Sequence, residues 1–147
     1  MPQTHIDNVL HFVFSTHERR PFIKEDLQPR LWAYMGGIAK KHDILPITIG
    51  GMDNHVHLLL ALPSELSPAK AMQLIKGGSS KWFAEKHVKG FSWQNGFGGF
   101  SVSASLVPTV VTYIRNQADH HKKFDYKLEY LSLLKKHGVA YDPKYLW

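Results

Sequence analysis

The sequence predicts an α+β domain with a four-stranded antiparallel sheet, helices packed on it and further helices at the C-terminal end. Short segments alternate apolar and polar residues, as half-buried strands do, while others repeat apolar residues at helical spacing. Their order along the chain is β-α-β-β-α-β-α-α. A split β-α-β order of this kind gives such a sheet with its helices on one face. The 147 residues suit one domain, which we expect to span residues 1–147.

The predicted strands are rich in β-branched and aromatic residues. The first covers residues 8–15, and the second and third form a hairpin over 44–50 and 55–62. The turn between them is supplied by the Gly, Asp and Asn residues of 50–54. A fourth strand is predicted over 97–103, at the end of a segment rich in Gly and aromatic residues.

The predicted helices cover residues 25–41, 68–86, 107–123 and 126–136. Ser67 and Pro68 are typical of an N-cap and a first helical position, and they begin the second helix. Gly77 and Gly78 weaken the middle of that helix because glycine has a low helix propensity. The last helix is expected to stop at Gly138.

Composition and charge narrow the class of protein. The absence of cysteine excludes disulfides, thiolate zinc sites and a cysteine nucleophile. The formal charge of +6 is compatible with a phosphate-bearing partner. No apolar run approaches the roughly 20 residues of a membrane span, and the first residues lack the pattern of a signal peptide. We therefore expect a cytoplasmic protein without a membrane partner.

Two histidines stand at the head of the third predicted strand. Side chains two residues apart on a strand project to the same face, so His55 and His57 are expected side by side. Two imidazoles in that arrangement can bind one divalent ion. The alternative is a partly exposed pair without function. The opposite face of the strand is apolar, with Val56, Leu58, Leu60 and Leu62.

Tyr113 and Gln117 are four residues apart in the predicted helix 107–123, so they share one face of it. Gln117 offers a neutral oxygen ligand to a metal ion. Tyr113 offers a phenol that can attack phosphorus covalently. The alternative is that Tyr113 is a half-buried aromatic residue and Gln117 is a solvated amide.

In this order, the two features resemble the HUH-type single-tyrosine transposases of small bacterial insertion sequences, the insertion-sequence-200-like family. The His-hydrophobic-His motif that names the group is matched by His55, Val56 and His57. The resemblance spans about residues 8–145. Other matching stretches are 12–16 with 19–21, 52–59, 74–82, 93–103, and 113–117 with 120–121.

The resemblance implies a ferredoxin-like or RRM-like fold and a role for each matching residue. Tyr113 matches the nucleophile, His55 and His57 match metal ligands, and Gln117 matches the third protein ligand. The family cuts single-stranded DNA at hairpin-marked ends with Mg²⁺ or Mn²⁺, forms a 5′-phosphotyrosine and frees a 3′-hydroxyl. Its members usually work as homodimers, and in some the tyrosine helix of one subunit completes the histidine site of the other.

Basic and aromatic residues are candidates for DNA contact. Trp82, Trp93 and Phe97 are candidates for stacking on unpaired bases. His120 and His121 either bind DNA or cap the end of a helix, and His11 receives no role. The candidates for DNA binding are Arg19, Arg20, Lys76, Lys81, Arg115, Asn116, Lys122 and Lys123.

Two other functions remain open at this stage. One is a non-catalytic RRM-like module that binds nucleic acid, although such modules carry aromatic residues on their central strands, where this chain has His55 and His57. The other is a metal-dependent hydrolase that uses water. The sequence gives the hydrolase little support because we expect no acidic cluster beside the two histidines.

Overall fold

The computed structural model describes residues 3–121 and 125–146. Its sheet has the strand order β2-β3-β1-β4, and every neighbouring pair is antiparallel. The predicted four-stranded antiparallel sheet and the α+β class are therefore confirmed. The strands are β1 Val9–Ser15, β2 Leu45–Gly51, β3 His55–Ala61 and β4 Gly98–Ser101.

The helices follow the predicted order, with short 3-10 turns at 17–19, 25–27, 104–106 and 143–145. The side chain of Ser67 accepts a hydrogen bond from the Lys70 amide, as expected of an N-cap. Gly138 has a φ of 63° just beyond the last helix, a conformation that favours glycine. The helices are α1 Gln28–Lys41, α2 Pro68–Lys86, α3 Val107–Arg115, α4 Gln117–His120 and α5 Tyr126–Lys136.

The main core lies between one face of the sheet and the pair α1 and α2. Phe12 and Phe14 of β1 point into it and are fully buried. The predicted apolar face of the third strand, Val56, Leu58, Leu60 and Leu62, lies in the same core. Fully burying side chains of this size stabilises a fold by about 1.5–3 kcal/mol each. This core therefore fixes the position of β3.

The expectation of helices on only one face is wrong, because α3 and α5 cover the opposite face. Val9 and Leu59 pack against Ile114 of α3, while Val13 packs against Leu134 of α5. The physical reason is that β1 and β3 are apolar on both faces, and an apolar face is stable only when another layer covers it. The second layer also encloses the side chains of β3 that do not face the main core.

The predicted helix 107–123 is interrupted. Asn116 has φ −98° and ψ 24°, and it separates α3 from the short α4. The first helix begins at Gln28 rather than residue 25, with Pro29 in its first turn, where a proline is tolerated. β4 is shorter than predicted and pairs only with Leu10–Val13 of β1. Within residues 3–121 and 125–146, no helix is long and apolar enough to cross a membrane.

Candidate active site

The two histidines of β3 lie on the sheet face that α3 and α5 cover. Both side chains are fully buried, which excludes the partly exposed pair considered from the sequence. Their ring centroids are 5.2 Å apart. Val56, between them, points to the opposite face and belongs to the main core. Turning β3 over would therefore move Val56 out of that core, so the two histidines are held on their face of the sheet.

Tyr113 and Gln117 reach the same cluster from α3 and α4. The Oε1 atom of Gln117 lies 2.9 Å from Nε2 of His55, and Gln117 is buried. The ring centroid of Tyr113 lies 5.6 Å from that of His57. The chain therefore brings together, within one subunit, the four residues that the sequence singled out for chemistry.

A fifth group lies at the centre of the cluster: the carboxylate of Glu129 from α5. Its Oε1 atom lies 2.9 Å from Nε2 of His57, 3.2 Å from Nε2 of His121 and 3.3 Å from Nε2 of His55. Its Oε2 atom accepts hydrogen bonds from the Tyr113 hydroxyl and, at 3.1 Å, from Nε2 of Gln117. Glu129 is almost completely buried.

From the sequence we expect no acidic cluster beside the histidines, and that expectation misses the single carboxylate of Glu129. The local sequence does carry a signal, because Glu129 follows Tyr126 by three residues and precedes Leu133 by four. These spacings place the carboxylate on the apolar stripe of α5. A charged group in such a position is buried only where it finds partners.

Further side chains orient these groups. Nδ1 of His55 lies 2.8 Å from Oδ1 of Asn54, and Nδ1 of His57 lies 2.8 Å from Nε2 of the buried His11. His120 also points inward, with its Nε2 atom 3.3 Å from Oε2 of Glu129. His11, His120 and His121 thus surround the site, and the sequence had assigned none of them to it.

Burial and charge shift the pKa values of these groups. Burial lowers the pKa of His11 and of His57, so both rings favour the neutral form. Burial alone would raise the pKa of Glu129, but hydrogen bonds from His121, His55 and His57 outweigh it and hold the pKa well below its usual range. Burial, together with the charge of Glu129, raises the pKa of Tyr113. The phenol is therefore protonated in the free protein.

A cavity of about 440 Å³ opens beside the tyrosine. Its walls include apolar side chains such as Val110 of α3 and Leu133 of α5, while Tyr113 and His11 lie on its lining. Lys136 and His137 add basic groups. The cavity gives a substrate a route to the phenol.

The candidate DNA-binding residues are distributed unevenly. Arg20, Lys81, Arg115 and Asn116 are exposed, and Arg19 is half-buried. Lys122 and Lys123 lie outside the described residues. The exposed side chains do not form part of the buried cluster, and their contact with DNA stays a prediction.

Lys76 is already engaged within the chain. Its Nζ atom donates hydrogen bonds to the carbonyl oxygens of Gln94 at 2.9 Å and Gly96 at 2.6 Å. Burial lowers the pKa of Lys76 to about 8. The lysine therefore links α2 to the segment that precedes β4 by hydrogen bonds.

The three candidate stacking residues also differ in position. Trp93 is buried against Phe14, and its Nε1 atom donates a hydrogen bond to Oγ of Ser79, so it is not available to a base. Phe97 packs on the main core. Trp82 is half-buried and stacks on Tyr34 with ring centroids 4.1 Å apart.

The donor atoms of the cluster fit a divalent cation. Neighbouring ligands of an octahedral ion with bonds of 2.0–2.1 Å are about 3 Å apart. Nε2 of His55 and Oε1 of Gln117 have this spacing, and so do Nε2 of His57 and Oε1 of Glu129. Each histidine also presents its other ring nitrogen to a polar neighbour, as metal-binding histidines usually do.

The fold and site together define an α+β domain with a paired-histidine, glutamine and tyrosine cluster on one face of its sheet. The profile of the family described as "Transposase IS200 like" matches residues 5–117. The chain belongs to this family, as the resemblance of its motifs indicated. A comparison with curated protein sequences gives no match.

Two solved structures share the fold. One is a candidate transposase from Deinococcus radiodurans R1, with a TM-score of 0.62, 20% identity, and coverage of 80% of this chain and 96% of that one. The other is a REP-associated tyrosine transposase bound to a REP hairpin, with a TM-score of 0.62 and 15% identity. That match covers 82% of this chain and 73% of the other.

Proposed function

We propose that this transposase nicks and rejoins single-stranded DNA at hairpin-marked ends through a covalent bond to Tyr113. The observation that carries the proposal is the position of the Tyr113 phenol, which lies beside His57 and on the wall of an open cavity. Membership of the transposase family supports the reaction class. The hairpin bound to one structural neighbour supports the kind of substrate.

The proposed reaction exchanges one phosphodiester bond for another. The Tyr113 oxygen bonds to phosphorus while the bond from phosphorus to the 3′-oxygen breaks. The phenol proton is lost and the leaving 3′-oxygen gains one, so a 5′-phosphotyrosine and a free 3′-hydroxyl result. Since the phosphotyrosine retains a phosphodiester, rejoining is the reverse of this step and needs no nucleotide co-substrate.

His55, His57 and Gln117 are the proposed ligands of a divalent cation, Mg²⁺ or Mn²⁺. When bound, such an ion polarises the scissile phosphate and offsets the negative charge that develops on its oxygens. Glu129 orients the nucleophile, because its Oε2 atom accepts the hydrogen bond of the Tyr113 hydroxyl. Asn54 and His11 orient the two imidazoles.

We further propose that each site is completed within one subunit. Tyr113 and Gln117 reach Glu129, and through it both histidines, without any residue from a second chain. The homodimer that the resemblance implies stays a prediction. In such a dimer each subunit would contribute its own tyrosine to its own site.

A covalent adduct tests the reaction. The protein is incubated with single-stranded hairpin DNA and Mg²⁺ or Mn²⁺, and the products are separated on a denaturing gel. We expect an adduct with the native chain and none with Tyr113→Phe. The matched control is Tyr34→Phe, which changes a tyrosine of α1 on the other face of the sheet. An adduct with Tyr113→Phe would contradict the assignment of the nucleophile.

A metal-dependent hydrolase is the second candidate, and the Glu129 carboxylate beside the histidines favours it. Such an enzyme would cleave DNA and leave no adduct, so the same gel separates the two functions. The non-catalytic RRM-like module has less support. The sheet face on which such a module stacks bases carries the buried His11, His55 and His57 here, and α3 and α5 cover it.

A further inference from the structure

We propose that Glu129 and His121 are additional ligands of the cation and that the completed centre selects Mn²⁺ over Mg²⁺. The inference rests on the proposed function, which places a divalent ion at His55, His57 and Gln117. Neither Glu129 nor His121 belongs to that set. Both come from the C-terminal part of the chain: His121 directly follows α4, and Glu129 reaches the cluster because α5 packs on the second face of the sheet.

The crowding around one oxygen atom is the first argument. Oε1 of Glu129 has the Nε2 atoms of His57, His121 and His55 at 2.9, 3.2 and 3.3 Å. A carboxylate has about four lone-pair sites, two on each oxygen. The hydrogen-bond contacts of His57 and His121 already match the two sites of this oxygen, and His55 approaches the same atom as a third neighbour. A cation shared by the nitrogens and the oxygen requires no N–H group at these positions.

The hydrogen-bonding capacity of His55 is the second argument. Its Nδ1 atom faces Oδ1 of Asn54 at 2.8 Å, and its Nε2 atom faces Oε1 of Gln117 at 2.9 Å. Both oxygens only accept, whereas a neutral imidazole carries one N–H group. The orientation of the Gln117 amide is fixed because its Nε2 atom donates to Glu129. If His55 is neutral, one of its two ring nitrogens has no hydrogen to donate, and its lone pair faces a lone pair of the neighbouring oxygen. A cation bound by that nitrogen and that oxygen removes the conflict.

The positions of the donor atoms are the third argument. One donor atom from each of His55, His121 and Glu129 can be chosen so that all three lie within 4.8 Å of one another, a group that does not include His57. Neighbouring ligands of an octahedral ion are about 3 Å apart and opposite ligands about 4.2 Å apart. The contacts of 3.2 and 3.3 Å from Glu129 match the spacing of neighbouring ligands.

The chemistry of the donors determines the preferred ion. Mg²⁺ favours oxygen ligands and retains several waters, whereas imidazole suits transition-metal ions. The proposed set has three imidazoles, one carboxylate and one amide oxygen. A carboxylate and an amide oxygen are ligands that Mn²⁺ also accepts. Mn²⁺ therefore fits this mixed set better than Mg²⁺.

Binding of Mn²⁺ to the metal-stripped full chain tests the proposal without reference to catalysis. Free Mn²⁺ is followed by electron paramagnetic resonance during a titration, first alone and then with an equal concentration of Mg²⁺. We expect Glu129→Gln and His121→Asn each to weaken Mn²⁺ binding about 10–100-fold or more. The matched controls, Glu85→Gln in the distant α2 and His87→Asn directly after it, should bind Mn²⁺ as the native chain does.

The outcomes separate this inference from the proposed function. If His55→Asn abolishes binding while Glu129→Gln and His121→Asn do not weaken it, the added ligands are overturned and the original set stands. If the native chain binds no Mn²⁺, the cluster is a metal-free hydrogen-bonded network, and the metal in the proposed function fails as well. Displacement of bound Mn²⁺ by equal Mg²⁺ would overturn the selectivity.

A measurement on the native chain covers the case in which the variants do not fold. Pulsed electron paramagnetic resonance of bound Mn²⁺, with ¹⁵N-labelled histidine in the protein, detects the imidazoles that coordinate the ion. The proposal predicts coupling to three imidazoles, those of His55, His57 and His121. Coupling to only two would overturn the proposed set of three imidazoles.

Discussion

Nε2 of His11 lies 2.8 Å from Nδ1 of His57, in a buried contact that joins β1 to β3 directly beside the site. The two rings are stacked, with centroids 5.0 Å apart. His57 therefore has one ring nitrogen occupied by a neighbouring strand while the other faces Glu129. A residue that touches neither the phenol oxygen nor the proposed ion thus determines which nitrogen His57 presents.

Replacing His11 should weaken the site through His57. In His11→Ala the Nδ1 atom of His57 loses its partner, and we expect Mn²⁺ affinity and the rate of adduct formation to fall about 10–100-fold, as for other residues that support metal ligands. His11→Gln retains an amide that can bond to His57, and it should recover part of the loss. Equal affinities for the native chain and His11→Ala would contradict this positioning role.

Mixing two inactive variants determines whether the site is completed within one subunit. Tyr113→Phe lacks the nucleophile and His57→Ala lacks an imidazole. If each subunit uses its own tyrosine, a mixture of the two should form no more adduct than either variant alone. The positive control is each variant mixed with the native chain, which should retain the native subunit's activity. Recovery of adduct in the mixture of variants would show that tyrosine and histidines come from different subunits.

Metal-free protein should become less stable in mild acid. Burial lowers the pKa of His11 and His57 in the folded chain below the ordinary value of 6.5. The unfolded chain then binds more protons as pH falls through 6.5, so the free energy of unfolding decreases until the pH lies below the folded pKa values.

Urea unfolding between about pH 8 and pH 5.5 measures this effect, since the carboxylates remain ionised over that range. We expect the urea midpoint to fall with pH in the native chain and to fall less in His11→Asn. His5→Asn, which changes an exposed histidine, is the control and should follow the native chain. A midpoint independent of pH would contradict the prediction.

Two glycine substitutions should have opposite effects on stability. A Cβ atom added to Gly51 would collide with the backbone of β3, at the carbonyl oxygen of His55 and 2.9 Å from Cα of Val56. Gly51→Ala should therefore destabilise the fold by about 1–3 kcal/mol and displace His55. A Cβ atom on Gly77 meets nothing within 4 Å, so Gly77→Ala should stabilise α2 by about 0.5–1 kcal/mol.

Thermal and urea unfolding of both variants provide the measurement, and Mn²⁺ titration of Gly51→Ala reports on His55. Both substitutions add one methyl group, so a difference in their effect on stability reports the different surroundings of the two positions. A stable Gly51→Ala that binds Mn²⁺ normally would show that the hairpin adjusts without moving the site.

Periodicity predicted how the main residues of the site are placed, whereas their roles came from the family resemblance. The period of two in β3 places His55 and His57 on one face, and helical spacing brings Tyr113 and Gln117 together. Tyr113 and Gln117 still lie side by side although the helix is interrupted at Asn116, and both side chains donate a hydrogen bond to the carboxylate of Glu129. The fold was predictable for the same reason, since alternating and helical patterns follow local backbone geometry.

The remaining part depends on contacts between segments distant in the chain. Glu129 is 72 residues from His57, and its role follows from the packing of α5 on the second sheet face. Alternation placed His11 on the same face as Val13, but its contact with His57 depends on the register of β1 against β3. Spacing within one strand or helix carries no information on such a register.

The interior position of β3 has a consequence for the timescales of the site. β3 is paired along both edges, with β1 on one side and β2 on the other. Its amide hydrogens should therefore exchange with deuterium only during the largest openings of the domain, as in other central strands. The two imidazoles are therefore expected on a backbone that opens rarely, and an incoming DNA strand would have to adapt its own shape to them.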